Sequence, residues 1–287
     1  MLKTVWLTTE KTGEVALLLG GFDGLHLGHR FLLSRAKRTG LPVGIMTIFG
    51  GKDGQSLFTE KERRNLFFES GVDFCLELSF SEIKDLTPNE FLGLLQERFD
   101  VKLFVCGEDF RFGAGAVGTP AFLKEQGQVC VESYPLLILD GEKVSSSTIK
   151  NALSVGEIER ANSLLEIPFF LLGEVVKDRQ IGRTIGFPTA NVFYPKEKFP
   201  LKIGVYETET EVDGVTYRGI TNYGARPTFQ DNTILTETYL EGFQGNLYGK
   251  TIKISFKRFL RNVKKFENVE ALKTQLEEDI GRVRNHD

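Results

Sequence analysis

The chain contains only three histidines, and two of them fall in one glycine-rich stretch, Gly20-Gly21-Phe22-Asp23-Gly24-Leu25-His26-Leu27-Gly28-His29. An apolar run, Val15–Leu19, leads into it, and a helical pattern leaves it from about Gly28 to Arg38. A strand, a glycine turn and a helix start make an anion site, because unpaired backbone N–H groups and the helix dipole point at it. Histidines three apart on a first helical turn face the same side. His26 and His29 could therefore donate to a triphosphate and stabilise charge developing on its α-phosphate. A lone histidine in such a loop usually caps or packs; two in one glycine turn tip the balance to function. A zinc site fits less well, since no Cys or third His completes a ligand set nearby.

A second constellation is Gly182-Arg183-Thr184-Ile185-Gly186-Phe187-Pro188-Thr189-Ala190-Asn191. It is a Gly-flanked turn ending in two small oxygen-bearing side chains two residues apart. In an extended segment those residues share a face, so Thr189 and Asn191 could present oxygens to a hard cation such as Mg²⁺. From spacing alone, a polar turn closing a hairpin is the better description. Gly113–Thr119 spaces two glycines like a phosphate loop, but it lacks the Lys of GK[ST] and runs into Pro120, so it is set aside.

The elements that must position these groups change character along the chain. In the first half, short apolar runs alternate with helical patterns. Val15–Leu19, Val43–Phe49, Cys75–Leu78, Leu103–Cys106 and Val129–Tyr134 read as strands. Thr59-Glu60-Lys61-Glu62 is a capping box, and Thr87-Pro88-Asn89-Glu90 combines an N-cap, a Pro at the first helical position and a Glu at the third. This alternation predicts a parallel α/β sheet with helices on both faces. After about residue 167 the pattern turns to strands. Phe169–Val176, Gly204–Val212, Thr216–Asn222, Thr236–Leu240 and Lys250–Phe259 are strand-like, and Asn268–Arg284 is a closing amphipathic helix. That predicts a small antiparallel barrel or sandwich. The boundary is expected between Lys150 and Pro168, across a helical Gly156–Leu165, giving domains 1–160 and 161–287.

The 287 residues carry 36 Lys plus Arg against 39 Asp plus Glu, a net charge of −3. No basic nucleic-acid footprint exists overall, although a local phosphate pocket is compatible with that charge. No apolar run approaches the length needed to span a bilayer, and the early apolar run lacks a signal-peptide cleavage pattern. Cys75, Cys106 and Cys130 are widely spaced in apolar contexts, so they are expected to be buried structural thiols in a reducing cytoplasm. The 24 Phe are expected to be mostly core, and none is assigned to flavin stacking from composition.

Residues 20–29 resemble the GxFDGxHxGH signature of the nucleotidyltransferase superfamily. Gly107-Glu108-Asp109-Phe110-Arg111-Phe112-Gly113 and Ser145-Ser146-Ser147-Thr148-Ile149-Lys150 are similar to the flavin and nucleotide loop and the SSTxIR segment of flavin adenylyltransferase domains. Lys150 stands where Arg is usual, keeping charge but losing the bidentate fork; Ala114 and Ala116 stand where many relatives carry Lys and Arg. Residues 173–279 resemble riboflavin kinase. The GFPTAN core matches, as do Asn222-Tyr223-Gly224-Ala225-Arg226-Pro227-Thr228-Phe229, Glu237-Thr238-Tyr239 and Leu247-Tyr248-Gly249, with Tyr239 replacing the usual His. Leu260-Arg261 with Lys265-Phe266 matches the flavin-side loop.

The two motif sets stand in the order of the bifunctional prokaryotic riboflavin kinase/FMN adenylyltransferases. The resemblance implies a Rossmann-like nucleotidyltransferase domain with a parallel sheet, followed by a small antiparallel β-barrel with a terminal helix. It implies phosphorylation of riboflavin to FMN and adenylylation of FMN to FAD, both with MgATP. Glu237 takes the general-base position, a role a carboxylate suits, although a Glu in a strand is more often a solvent-facing ion-pair partner. Thr189 and Asn191 take the Mg²⁺ position. Gly20, Phe22, Asp23, Gly24, Gly28, Ser145, Ser146, Ser147 and Lys150 fall on one nucleotide site; Gly182, Arg183, Gly186 and Pro188 fall on the other. Asp109, Phe110, Arg111, Arg261 and Phe266 fall on flavin positions. The expected partners are the small molecules ATP, riboflavin and FMN, with no nucleic acid and no membrane, in a monomer or weak homo-oligomer. Three rivals are carried: a kinase with a weak adenylyltransferase half, a transferase for another phosphorylated alcohol, and a non-catalytic flavin-binding regulator.

Overall fold

A computed structural model of the chain describes residues 3–5, 12–50, 54–177, 186–225 and 234–285. The chain divides into two compact units, Met1–Thr148 and Ile149–Asp287.

In the first unit the strands are β1 (Lys3–Val5), β2 (Thr12–Leu19), β3 (Val43–Phe49), β4 (Phe74–Ser79), β5 (Phe99–Gly107) and β6 (Cys130–Tyr134), with a small hairpin, β7 (Ile138–Leu139) and β8 (Glu142–Lys143). The helices between them are α1 (Leu27–Lys37), α2 (Glu60–Glu69), α3 (Phe80–Ile83), α4 (Pro88–Arg98) and α5 (Pro120–Glu125). Among the described residues the main sheet runs β1-β4-β3-β2-β5-β6, parallel throughout. Its strands read as continuous apolar runs because both faces are covered. Val15, Leu17 and Leu19 pack into one core with Phe91, Leu95 and Phe104. Ala16 and Leu18 pack into the other with Leu32, Leu33 and Ala36 of α1. Both expected capping boxes form: Thr59 with Glu62 opens α2, and Thr87 with Glu90 opens α4 behind Pro88.

The strand order reverses direction at β2. From there the chain winds outward through β3 and β4, then returns to lay β5 on the other side of β2. Ligands of open parallel sheets bind outside the carboxyl ends of the strands at such a switch point. Leu19 and Cys106 are register partners at those ends, so the loops beginning at Gly20 and just after Gly107 open side by side.

The second unit holds most of α6 (Ser146–Val155), then α7 (Ile158–Leu165), β9 (Phe169–Val176), β10 (Thr189–Phe193), β11 (Gly204–Val212), β12 (Val215–Ala225), β13 (Ile234–Leu240), β14 (Thr251–Arg261) and α8 (Val269–Arg284). The strands close into an antiparallel barrel, β10-β13-β12-β11-β14-β9. This resolves the choice between barrel and sandwich. Part of the barrel interior is polar yet satisfied: the hydroxyls of Thr208, Thr221 and Thr238 form a chain with 2.9 Å links. Ile280 and Val283 of α8 pack on the outer face against Val205 and Ile220. Ile149, Ala152 and Leu153 of α6 are buried, and Asn162 of α7 ties β14 to β9 through Phe256 O and Phe169 N. The expected division at 160/161 falls inside α7.

Two expectations change. Thr189–Asn191, the end of the Gly182–Asn191 stretch read from spacing as a polar turn, opens the barrel strand Thr189–Phe193, because cross-strand pairing on both sides outweighs a weak local signal. Cys75 and Cys106 are buried, but Cys130 is exposed. It begins β6, an edge strand of the sheet among the described residues.

Candidate functional sites

A cavity of about 740 Å³ occupies the switch point of the first unit, lined by Gly20, Phe22, His26, His29, Asp109 and Ser145 among others. His26 is the N-cap of α1, its Nδ1 accepting a hydrogen bond from the His29 amide at 3.3 Å. His29 Nδ1 lies 2.8 Å from Gly24 O and donates to it, since a carbonyl only accepts. These partners place the ring protons: neutral His26 carries N–H at Nε2, while neutral His29 leaves Nε2 as an acceptor. The two rings stack with centroids 3.6 Å apart. Burial holds His26 down at about 4, and burial together with the charge of its neighbour holds His29 well below the ordinary histidine value. Both imidazoles are therefore neutral near pH 7. The sequence expectation of two proton donors needs that amendment: His26 can donate as it stands, and His29 only after taking up a proton.

The glycines of the turn have steric reasons. A Cβ on Gly24 would stand 2.9 Å from the buried Phe58 ring, and one on Gly28 would stand 3.2 Å from the His26 ring. Phe22 holds φ at +39° with its ring buried, and Thr47 Oγ1 donates to Gly21 O and Phe22 O. Asp23, expected at the nucleotide, accepts the Leu57 amide at 2.7 Å and so ties the turn to the following loop.

Opposite the histidines, Asp109 pairs with Lys143 at 3.2 Å, Arg111 donates to Glu108 O and Phe110 O, and Phe110 stacks on Phe112. Ser145 Oγ accepts from the Thr148 amide, starting α6 beside the cavity. Ser146 and Ser147 form the first turn of that helix. Lys150 lies in the second unit, its ammonium 5.6 Å from the Phe199 ring centroid. Sequence reasoning missed the cavity's apolar wall, Phe31 with Leu136, Leu137 and Ile138, whose large side chains stay exposed. The apolar run Leu136–Leu139 after a strand was the available signal. The set-aside Gly113–Thr119 loop closes on itself through Phe112 and Gly118, and Thr119 merely caps α5.

In the second unit a cavity of about 540 Å³ is lined by Pro188, Thr189, Asn191, Phe243, Asn246 and Tyr248 among others. Gly186 precedes it in the left-handed region, at φ +86°. Gly182 and Arg183 lie outside the described residues. Asn191 of β10 is the register partner of Glu237 on β13, so the two share one face of the barrel wall. Thr236 and Thr238, on either side of Glu237, are fully buried, which sends Glu237 to the outer face. Asn191 is buried, and its Oδ1 has no hydrogen-bond partner among the described residues. Arg261 is the residue expected at the flavin. Its guanidinium forks onto the buried carboxylate of Asp279 on α8 at 2.7–3.1 Å and stands 5.9 Å from the Phe266 ring.

A riboflavin kinase family model matches residues 165–286, and an FAD synthetase model matches residues 8–148. A bifunctional riboflavin kinase/FMN adenylyltransferase of Pseudomonas fluorescens is 32% identical, over 97% of this chain and 94% of its own length. The chain belongs to the bifunctional riboflavin kinase/FMN adenylyltransferase family. The Escherichia coli K12 member is 34% identical, over 92% of this chain and 90% of its own. A crystal structure described as a macrolide-efflux protein from Streptococcus pneumoniae superposes with a TM-score of 0.89 at 27% identity, covering all of both chains. Among the described residues no helix is long and apolar enough to cross a membrane. The chain thus carries an FAD synthetase domain and a riboflavin kinase domain, each on its own compact unit and each with its own cavity.

Proposed function

We propose that the barrel unit transfers the γ-phosphoryl of ATP to riboflavin, giving FMN and ADP. The parallel-sheet unit then joins FMN to the adenylyl group of a second ATP, giving FAD and pyrophosphate. One observation carries the reading: Asn191, the register partner of Glu237, lines the 540 Å³ cavity with its amide oxygen buried and unpartnered among the described residues. Leaving such an oxygen dry costs on the order of 1–3 kcal/mol, which a ligand would offset.

Neutral oxygens of this kind suit a hard cation, so the residues fit the Mg²⁺ that accompanies ATP; Thr189 and Asn191 would hold it. When bound, the ion neutralises charge on the transferring phosphate. Phosphoryl transfer asks little covalent chemistry of the protein. Glu237 orients the ribityl hydroxyl and accepts its proton, while Pro188 lines the cavity and Gly186 sets the turn that leads to it.

In the other unit the phosphate of FMN is itself the nucleophile on the α-phosphorus, and pyrophosphate leaves. The Gly20–Gly28 turn and the start of α1 offer amides to the leaving phosphates. The Nε2–H of His26 donates to them, and His29 adds a donor once polyphosphate charge has raised its proton affinity. Phe31 and Leu136–Ile138 supply an apolar wall for the isoalloxazine, near Asp109, Phe110 and Arg111.

The test is a time course from riboflavin and MgATP, with FMN and FAD separated by chromatography. FMN should appear first and FAD after it, and no FMN at all would end the kinase reading. A second reading, weak adenylyl transfer, draws support from Lys150, whose ammonium sits over the Phe199 ring. FMN accumulating without FAD is its signature.

A further inference from the structure

Glu237 has a neighbour on each side at the same level of the barrel wall. Asn191 of β10 faces it from one strand and Asn222 of β12 from the other. Directly paired residues of adjacent strands point to the same face, so Asn191, Glu237 and Asn222 form one row across β10, β13 and β12. Asn222 Nδ2 lies 3.3 Å from Glu237 Oε2. A carboxylate accepts and cannot donate, which fixes the Asn222 amide with its NH₂ toward Glu237 and its oxygen away. That oxygen is buried and has no hydrogen-bond partner among the described residues, as is true of Asn191 Oδ1.

A residue whose only task was packing would not leave a buried acceptor unsatisfied. The neighbourhood of Asn222 is also firm. Its partner on the other side, Val205 of β11, belongs to the cluster under α8 with Ile220, Ile280 and Val283. A side chain on a packed strand can hold a reactive group in place, which is what catalysis by positioning requires.

We propose that Asn222 is a positioning residue of the kinase reaction: its amide N–H₂ holds the Glu237 carboxylate in the orientation that receives the acceptor hydroxyl's proton. The inference rests on the reading of Glu237 as base. It goes beyond that reading in giving a defined task to a residue on a different strand. No bond is made or broken at Asn222. The amide donates a hydrogen bond to Oε2, and the carboxylate it orients takes the proton.

The experiment uses the full-length chain and follows FMN formation from riboflavin and MgATP. Asn222→Ala should lower kcat on the order of tenfold or more, with KM for MgATP changed less than about twofold. On a Glu237→Asp background, whose shorter carboxylate no longer reaches the amide, the same substitution should cost less than about twofold. Asn222→Ser, which keeps a small polar group, guards against misfolding, with Tm and MgADP binding measured by calorimetry. Wild-type-like kcat in Asn222→Ala, or the full loss repeated on the Glu237→Asp background, overturns the proposal. So does loss of Tm and MgADP binding in both Asn222 variants, which would make the residue structural. A wild-type chain that makes no FMN removes the underlying reading instead.

Discussion

His26 and His29 lie ring on ring, 3.6 Å apart, and both are neutral near pH 7. The folded-state value for His26, about 4, is below the unfolded 6.5. The stability it contributes is therefore complete above pH 6.5 and declines as pH falls toward 4, by about 3 kcal/mol at most. His26→Gln should flatten that part of a Tm-against-pH curve. In ¹⁵N spectra of the wild type, MgATP should move the midpoint of His26 or His29 upward, because polyphosphate charge favours the imidazolium. Midpoints near 6.5 without nucleotide would contradict the account.

Glu237→Gln should reduce FMN production on the order of 100-fold or more and leave FMN-to-FAD conversion intact. His29→Ala should do the reverse. Product chromatography from riboflavin, and separately from FMN, reads both. Loss of both reactions in either variant would show that the two units do not act independently.

The Arg261–Asp279 pair helps fasten α8 to the barrel, the carboxylate being fully buried. Asp279→Ala leaves the Arg261 guanidinium without its buried carboxylate and should destabilise the second unit by roughly 3–5 kcal/mol, read by urea unfolding. Replacing both partners, Arg261→Met with Asp279→Leu, should restore much of the loss. A double variant no better than the single would mean that Arg261 does more than hold the helix.

Gly24→Ala drives a methyl to 2.9 Å from the buried Phe58 ring. The expected cost is about 1–3 kcal/mol, with slower FAD formation because the same turn carries the His29 hydrogen bond to Gly24 O. Adding Phe58→Leu should return part of the activity; an additive further loss would speak against the steric explanation.

Much of the frame is legible in the sequence, and for a physical reason. Val15–Leu19 and Val43–Phe49 are apolar without alternation because both faces are covered, and Thr59 and Thr87 announce their helices through reciprocal caps. The family motifs likewise locate His26, Thr189, Asn191 and Glu237 before any coordinates. The strand Thr189–Phe193 was hidden, since its strand character comes from partners outside its own segment: Thr189 pairs with Tyr239 and Asn191 with Val176. Asn222 lies within a matched segment, yet nothing in its spacing tells which neighbour it holds; only the register of β12 against β13 does. Cys130 misled because its apolar surroundings describe the strand and not the side of the sheet left open.

Closure of the barrel has a consequence for how the kinase half can vary. With β9 paired to both β14 and β10, no strand has a loose side along which to slip. Moving β13 by a single residue would turn Glu237 inward and would also force a mismatch somewhere around the whole circumference. The loops at the rim are therefore free to lengthen, shorten and change composition, altering which molecules gain admission, while the level of the Asn191–Glu237–Asn222 row stays set by the circle as a whole.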